Sequence, residues 1–256
     1  MKVVILAGGF GTRLAEDADL LPKPLVPIGN KPILWHVMKI YATAGFNDFI
    51  ICCGYKGHLI KNYFVNYFTE NYDVTVDLAK NSVEFHGDTA EKWKVTLIDT
   101  GLHTMTGGRI KQIERYVGGE TFCLTYGDGL AQLNIKELVI FHRKHGRKAT
   151  ITAVSSPGRF GILDLSPAGQ VSRFHEKPDF EMGWINGGFF VCEPTVFDYI
   201  ENDATQWEHG PLERLAAEGD LMAFMSTGFW KPMDTQRDKR ELEELWQSGN
   251  PPWRVW

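Results

Sequence analysis

The stretch that decides the fold is MKVVILAGGFGTRL, residues 1–14. Residues 3–6 form a short apolar run, which is typical of a strand buried on both faces of a parallel sheet. The glycines within residues 7–11 allow positive φ and a close approach of the backbone to a ligand. A loop of this kind directs several backbone N–H groups into one concavity, and such concavities bind phosphate. The stretch therefore predicts a strand followed by a phosphate-binding loop.

Two cations near this loop strengthen the prediction of a polyphosphate ligand. Arg13 comes directly after Thr12, and Lys23 lies between two prolines in LPKPLVPIGN, residues 21–30. The alternative is a turn without a ligand, because glycine-rich turns after strands are common. This turn also matches neither G-x-G-x-x-G nor the P-loop motif. The glycines alone leave both interpretations open.

The composition is that of an ordinary soluble globular protein. The chain has 256 residues, of which 43% are hydrophobic and 23% are charged, and this length suits one large α/β domain. A net charge of −5 provides no basic excess to neutralise a nucleic-acid backbone, so we do not expect a nucleic-acid partner. A nucleotide ligand needs only two or three local cations and is not excluded.

We expect a cytoplasmic protein that does not enter a membrane. The predicted first strand begins directly after Met1, which leaves no room for a signal peptide, and no apolar run is long enough to span a bilayer. Cys52, Cys53, Cys123 and Cys192 lie inside apolar runs. Buried thiols in a reducing compartment are therefore favoured over disulfides.

Strand and helix patterns alternate along the first part of the chain, which predicts an α/β fold with a doubly wound, mostly parallel central sheet. Strands are predicted at residues 3–6, 49–53, 74–78, 94–98, 121–126, 150–154, 184–192 and 221–225. Helices are predicted at residues 32–41, 58–68, 110–117, 135–145, 195–200, 212–217 and 235–246. From Pro157 onward, RFGILDL and VSRFHEKP predict an antiparallel pair joined by a turn near residues 167–170.

Two aspartates are candidate metal ligands. Asp128 follows the predicted strand at residues 121–126, and ligands of open α/β sheets bind at the carboxyl ends of strands. Mg²⁺ favours one or two carboxylates together with phosphate oxygens and water. Asp128 can also be a turn residue. Asp234, in WKPMDT, precedes the last predicted helix, where an aspartate is very often only an N-cap.

Three further side chains are candidates for binding anions or sugar. Arg109 follows two glycines at the start of a predicted helix, where the N-terminus favours anions; the alternative is a surface arginine. Lys177 precedes Pro178, and the restricted backbone there suits holding a phosphate. Asn186 precedes two glycines and offers an amide donor and acceptor to sugar hydroxyls, or else belongs to a turn.

LAGGFGTRL followed by PKPL resembles the signature of the sugar-1-phosphate nucleotidyltransferases, and the resemblance runs from Met1 through at least Asp238. Within that family the chain is most similar to members that make CDP-glucose, the precursor used in deoxysugar and O-antigen (lipopolysaccharide) biosynthesis. The strings that carry the closer match are DFIICCGYKG, VTLIDTG with MTGGR, LTYGDG, PGRFG, INGGFFV and FWKPMDT. The resemblance implies a Rossmann-like nucleotidyltransferase fold with a smaller antiparallel sugar-binding part.

The resemblance also implies the division of this single domain, residues 1–256, and the roles of individual residues. The nucleotide-binding half would cover about 1–156 and the sugar-phosphate-binding half about 157–256. Implied nucleotide ligands are Leu6, Ala7, Gly8, Gly9, Phe10, Gly11, Thr12, Arg13, Lys23, Thr104, Arg109 and Asp128. Implied sugar-phosphate ligands are Glu176, Lys177 and Asn186, implied Mg²⁺ ligands are Asp128 and Asp234, and implied catalytic cations are Arg13, Lys23 and Lys177.

The implied reaction is Mg²⁺-assisted, in-line transfer of CMP from CTP to α-D-glucose 1-phosphate, which gives CDP-glucose and pyrophosphate. The alternatives are a sister enzyme that uses UTP or dTTP, a glycosyltransferase, or a nucleotide-binding domain without catalysis. A glycosyltransferase commonly carries a D-x-D metal motif at a strand end. The one such string here, residues 17–19, lies in a polar segment after the glycine loop.

The resemblance implies a homo-oligomer such as a hexamer. Residues 80–93 form a polar insertion that would be an active-site flap or an oligomer contact. The tail PPWRVW, residues 251–256, carries two tryptophans, so we expect it to dock on its own core or on a neighbouring subunit.

Overall fold

The fold is taken from a computed structural model, which describes residues 1–11, 20–87, 91–156, 162–166, 169–175 and 183–256. The strands are β1 (Val3–Ala7), β2 (Pro27–Ile28), β3 (Lys31–Pro32), β4 (Asp48–Cys53), β5 (Asp73–Asp77), β6 (Ser82–His86), β7 (Lys94–Asp99), β8 (Phe122–Tyr126), β9 (Gly129–Ala131), β10 (Ala149–Ser156), β11 (Ile162–Leu165), β12 (Val171–His175), β13 (Gly183–Cys192), β14 (Leu221–Ser226) and β15 (Trp230–Pro232).

The α-helices are α1 (Ile33–Thr43), α2 (Gly57–Val65), α3 (Tyr67–Asn71), α4 (Thr106–Gln112), α5 (Glu114–Val117), α6 (Ile135–His145), α7 (Pro211–Ala217) and α8 (Gln236–Gln247). Short 3₁₀ helices cover Lys23–Leu25 and Pro194–Tyr199. None of the helices in the described ranges has the length and apolar character needed to cross a membrane.

A nine-stranded mixed sheet forms the centre of the molecule. Its main path runs β12-β11-β13-β8-β1-β4-β7, and β10 lies between β13 and β14. β8, β1, β4 and β7 are mutually parallel, whereas β13 is antiparallel to both β8 and β10. The carboxyl ends of the parallel strands therefore meet at one edge, which is where open α/β sheets bind ligands.

Alternate residues of β1 pack into two hydrophobic cores, one on each face of the sheet. Val3, Ile5 and Ala7 join a core formed with α1 and α8. Val4 and Leu6 join a second core formed with α4 and α7. Because both faces of β1 are buried, its sequence contains no polar residue. The continuous apolar run in the sequence thus correctly predicted a central strand.

Two predicted helices are interrupted. The helix predicted over residues 58–68 divides into α2 and α3 at Asn66, and the helix predicted over 110–117 starts earlier and divides into α4 and α5 at Ile113. Both residues leave the helical conformation, with ψ of 9° at Asn66 and 2° at Ile113. Amphipathic spacing continues across each break, which is why the sequence pattern did not reveal it.

The predicted polar insertion contains a strand. β6 pairs antiparallel with β5 in a separate two-stranded sheet, with Val76 opposite Val83. All residues of β6 are exposed, and the side chains of Val83 and Phe85 are 56% and 43% accessible. The strand sequences DVTVD and SVEFH alternate polar and apolar residues, which is the pattern of a strand with one apolar face. Within the chain, Val76, Val83 and Phe85 leave much of that face exposed.

The C-terminal tail docks on the chain's own core. Trp253 is fully buried in the core that contains α1. Its indole Nε1 donates to His36 Nδ1 at 3.4 Å, and His36 Nε2 lies 3.0 Å from the Ile28 carbonyl. Burial lowers the pKa of His36 to about 4, so the ring is neutral and can accept from Trp253.

Candidate active site

A cavity of about 560 Å³ lies beyond the carboxyl ends of β1 and β8. We call it the larger cavity, because the cavity that adjoins it has only about 300 Å³. Its lining consists of residues 6–11, Lys23, Pro24, residues 102–106, Arg109, residues 126–128 and Asp234. The described residues predicted to bind nucleotide, residues 6–11, Lys23, Thr104, Arg109 and Asp128, are therefore brought together in one place. Their contact with a nucleotide stays a prediction.

The glycine loop after β1 is held close to its neighbours. Gly11 has φ of +64°, and a Cβ there would lie 3.2 Å from Lys23 Cβ. A Cβ on Gly8 would lie 2.3 Å from Arg109 Nη1. The Gly8 carbonyl also accepts from the Tyr55 N–H at 3.1 Å. Glycine is thus needed at residue 8 for close packing and is favoured at residue 11 by conformation.

Arg109 is buried rather than a surface arginine, since only 5% of it is accessible. Its Nη1 donates to the Cys53 carbonyl at 3.2 Å and to Thr100 Oγ1 at 2.7 Å. Nη1 also donates to the Gly101 carbonyl at 2.8 Å, and Nη2 to the Gly8 carbonyl at 3.1 Å. Burial lowers the pKa of Arg109. The guanidinium therefore ties together the ends of β1, β4 and β7, and its implied contact with CTP stays a prediction.

One part of the larger cavity is apolar. Phe10, Leu102 and Met105 are 43%, 45% and 44% accessible although they are hydrophobic. The Phe10 ring lies against Tyr55 and His103, with centroids 5.3 and 6.1 Å apart. Exposed aromatic and apolar side chains at a cavity rim suit the flat face of a nucleobase.

Lys23, Asp128 and Asp234 form a charged group that we call the site cluster. Lys23 Nζ lies 2.5 Å from Asp128 Oδ2 and 2.7 Å from Asp234 Oδ1. Burial would lower the pKa of Lys23, but the two carboxylates outweigh it and raise the pKa above its ordinary value. Lys23 is therefore a fixed positive charge between two negative ones.

A short pairing that the sequence patterns did not predict positions the two aspartates. β9 follows Asp128, β15 precedes Asp234, and the two strands pair antiparallel with Gly129 opposite Pro232. The Met233 N–H donates to the Asp128 carbonyl at 2.9 Å. This small sheet fixes the two aspartates side by side.

Asp234 does not cap α8, although aspartates in this place often do. The N-cap is Thr235, whose Oγ1 accepts from the Asp238 N–H at 3.2 Å. The Asp238 carboxylate accepts in return from the Thr235 N–H at 2.9 Å. With the cap supplied in this way, the Asp234 carboxylate faces Lys23.

The site cluster has the donor set for a hard divalent cation. Asp128 and Asp234 each place a carboxylate oxygen within 2.7 Å of the same ammonium nitrogen, so both reach one cation position. In the described ranges, no group of three or more His, Cys, Asp or Glu side chains could hold a metal by itself. Mg²⁺ held here would therefore need oxygens from phosphate or water as well, which is its usual preference.

A smaller cavity of about 300 Å³ adjoins the first. It opens where β13 changes partner, because residues 189–192 pair with β8 whereas residues 184–185 pair with β11. Asn186 lines this gap, and its Oδ1 accepts from the Gly188 N–H at 2.8 Å. Tyr126, Asp128 and Asp234 line both cavities. The site cluster thus lies where the two cavities meet.

Four predicted site residues, Thr12, Arg13, Glu176 and Lys177, lie outside the described residues. Sequence reasoning also missed a residue of the smaller cavity, Glu208, whose carboxylate accepts from the Tyr126 hydroxyl at 2.5 Å. Glu208 follows no regular pattern in the sequence. Only its contact with the end of β8 marks it.

Comparison with known proteins gives concordant findings. A sequence profile of the family described as nucleotidyl transferase matches residues 2–231. The chain is 58% identical over 257 residues to a glucose-1-phosphate cytidylyltransferase of Salmonella typhi, with 100% of both chains covered. It is 45% identical over 257 residues to a probable glucose-1-phosphate cytidylyltransferase of Bacillus subtilis (strain 168), again with 100% of both chains covered.

Among solved structures, HddC from Yersinia pseudotuberculosis is similar with a TM-score of 0.75 at 25% identity, over 96% of this chain and 99% of the other. The shared architecture confirms the predicted α/β class with a mostly parallel central sheet. The two cytidylyltransferase relatives agree with the sequence analysis, in which the chain is most similar to family members that make CDP-glucose.

Proposed function

We propose that this chain, which belongs to the nucleotidyl transferase family, transfers CMP from CTP to α-D-glucose 1-phosphate and releases pyrophosphate. The observation that carries the proposal is the position of the site cluster between two cavities. The larger cavity combines a glycine loop with an apolar rim, as a nucleotide requires. The smaller one carries an amide and a carboxylate, as a sugar requires. Phosphates of both substrates would meet at the cluster.

The reaction needs charge neutralisation and alignment rather than a general base. A sugar phosphate is already an anionic nucleophile at neutral pH, so no proton has to be removed from it. The obstacle is the approach of two anions, which positioning and preorganised charge overcome. Lys23, which the two carboxylates hold beside both cavities, would stabilise charge on the α-phosphate and on the leaving pyrophosphate.

The two other catalytic cations of the proposal come from the family resemblance. Arg13 would hold the triphosphate beside the glycine loop. Lys177 would hold the sugar phosphate in line with the α-phosphorus, and Glu176 and Asn186 would bind hexose hydroxyls. Of these, Asn186 lines the smaller cavity, which supports its part of the proposal.

We include Mg²⁺ in the proposed reaction, held by Asp128 and Asp234. The support is that both carboxylates converge on one cation position. A bound Mg²⁺ would supply Lewis-acid neutralisation of phosphate oxygens. With Asp128 and Asp234 holding the metal, Lys23 would be free to pair with the phosphates.

We further propose that the chain acts in the cytoplasm as a homo-oligomer, supplying CDP-glucose to deoxysugar or O-antigen synthesis. The hairpin β5–β6 supports an oligomer, because Val76, Val83 and Phe85 on it are 57%, 56% and 43% accessible. Exposed apolar patches of this kind mark interaction surfaces. Light scattering after size-exclusion chromatography tests this, and a monomeric mass would contradict it.

The direct test of the function is pyrophosphate release with each nucleoside triphosphate against a panel of sugar 1-phosphates. We expect release with CTP and glucose 1-phosphate, and at least about tenfold lower kcat/KM for other pairs. Release with UTP or dTTP instead would assign the chain to a sister activity. No release with any pair would contradict the proposal and favour a nucleotide-binding role without catalysis.

A further inference from the structure

Glu208 places a carboxylate in the wall of the smaller cavity and is held there at both oxygens. The Tyr126 hydroxyl donates to Oε1 at 2.5 Å, and the Thr106 hydroxyl donates to Oε2 at 2.6 Å. The preceding residue, Trp207, is fully buried. Because the carboxylate cannot turn without losing a hydrogen bond, its remaining lone pairs have fixed directions.

The hydroxyl hydrogens of Tyr126 and Thr106 are both donated to Glu208. The Trp207 N–H donates to Thr106 Oγ1 at 2.8 Å, so this oxygen already accepts and its own hydrogen is left for the carboxylate. Likewise, the side-chain amide of Asn186 donates a hydrogen bond to the hydroxyl oxygen of Tyr126. Burial, with the nearby Glu208 charge, raises the pKa of Tyr126 well above its ordinary value. Tyr126 therefore stays protonated and continues to donate.

A carboxylate held in this way can only accept. An ionised carboxylate offers about four lone-pair sites, and the two hydroxyls fill one on each oxygen. A ligand in the cavity can therefore pair with Glu208 only by presenting O–H or N–H donors. A hexose has such donors at several ring positions, and a bound hexose hydroxyl would satisfy the remaining capacity.

The surroundings of Glu208 differ from those of a structural carboxylate elsewhere in the chain. The Tyr199 hydroxyl donates to Glu218 as Tyr126 does to Glu208. Glu218 lies outside both cavities and is 3.6 Å from Lys148 Nζ, which balances its charge. Glu208 forms no ion pair within the described ranges. A carboxylate that has hydroxyl donors, no counter-charge there and a cavity beside it is suited to a polar ligand.

From this geometry we propose that Glu208 is a specificity-determining residue for the sugar phosphate and accepts a hydrogen bond from one hydroxyl of the hexose. The inference rests on the proposed function, because it requires a hexose phosphate in the smaller cavity. Tyr126 is hydrogen-bonded to both Glu208 and Asn186, and Asn186 is a residue predicted to bind sugar.

The test compares wild type with Glu208→Gln on glucose 1-phosphate and its 2-, 3-, 4- and 6-deoxy analogues, at fixed CTP. In wild type, one deoxy analogue should lose about 10- to 100-fold in kcat/KM, because it leaves the carboxylate unpaired. In Glu208→Gln the KM for glucose 1-phosphate should rise by about the same factor. That one analogue should then react within about threefold of glucose 1-phosphate, and the KM for CTP should change by less than about threefold.

The matched control is Glu218→Gln, which makes the same chemical change in a Tyr–Glu pair outside both cavities. It should leave all of these constants unchanged. If Glu208→Gln melts early, Tyr126→Phe offers a second test, because it releases Oε1 while keeping the carboxylate. It should weaken discrimination against the same deoxy analogue.

An equal loss on glucose 1-phosphate and on every deoxy analogue would overturn the proposal, because a purely structural role lowers them alike. Absence of discrimination among the analogues in wild type would overturn it too. If wild type releases no pyrophosphate from CTP and glucose 1-phosphate, the proposed function itself fails, and this result is separate from the other two.

Discussion

The site cluster has a counterpart of similar composition a few residues along the chain. Lys231 Nζ lies 2.6 Å from Glu241 Oε2 and 3.3 Å from Asp238 Oδ1. We call these three residues the helix cluster. The lysine side chains of the two clusters are comparably shielded, at 13% accessible for Lys23 and 21% for Lys231. Distance and burial alone would therefore assign both clusters the same role.

The two clusters differ in where their carboxylates come from and what they face. The site cluster takes its carboxylates from beyond β8 and beyond β15, and they line both cavities. The helix cluster takes both from the first turns of α8, where Asp238 also caps the helix, and Lys231 lines neither cavity. An ion-pair network that lies in a cleft is a candidate for function, whereas one outside a cleft is more often structural.

Removing the lysine from each cluster should give the largest contrast. Lys23→Met should lower the rate of pyrophosphate release by about 10²–10³, since one preorganised charge at a reacting group contributes this much. Lys231→Met should change the rate by less than about threefold, because its charge is outside the cavities. Steady-state kinetics on both variants, with melting curves as a check of folding, measures this. Equal losses of rate in the two variants would contradict the functional distinction between the site cluster and the helix cluster.

The carboxylates should differ in their response to metal. Asp128→Asn should abolish the effect of Mg²⁺ on CTP binding in calorimetry, because one of two charged ligands becomes neutral. Asp238→Asn serves as the control and should keep the wild-type metal effect. A full metal response in Asp128→Asn would exclude that residue from the metal site.

The sequence predicted the central strands well because β1 and β4 contain continuous apolar runs and β8 is interrupted only by Thr125. It also correctly placed Asp128 at a strand end. The pairing of Asp128 with Asp234 came from family resemblance, because β9 and β15 have three residues each and are too short to show a period. Glu208 had no signal at all, since its role depends on contacts with Tyr126 and Thr106, which are distant in sequence.

Stability should depend more on the helix cluster than on the site cluster. Asp238→Ala removes the reciprocal cap of α8 with Thr235 and should lower the free energy of unfolding by about 1 kcal/mol. Asp128→Ala should be neutral or stabilising when Asp234→Ala and Lys23→Met are made with it, because the partly buried ion group is then removed as a whole. Urea unfolding measures both. A larger loss in the Asp128 variant would reverse the comparison.

The smallest expected effect is on the pH dependence of stability. Burial would raise the pKa of Asp238, but hydrogen bonds from Thr235 and Lys231 outweigh it and lower the pKa below its ordinary value. The unfolded chain then binds the proton more readily, so the stabilisation is present above about pH 4 and is lost as the pH falls below that value. Asp238→Asn should therefore reduce the dependence of the free energy of unfolding on pH below about pH 4. If the free energy of unfolding of the variant falls with decreasing pH as steeply as that of wild type, Asp238 makes no such contribution.

The most direct test of the central claim is a crystal structure with CTP and Mg²⁺. The account predicts the triphosphate in the larger cavity, with the metal about 2.0–2.1 Å from oxygens of Asp128 and Asp234. Lys23 Nζ should then have left its position between the carboxylates for a phosphate oxygen. A nucleotide bound elsewhere, or Lys23 still between the two carboxylates with CTP in place, would contradict the account.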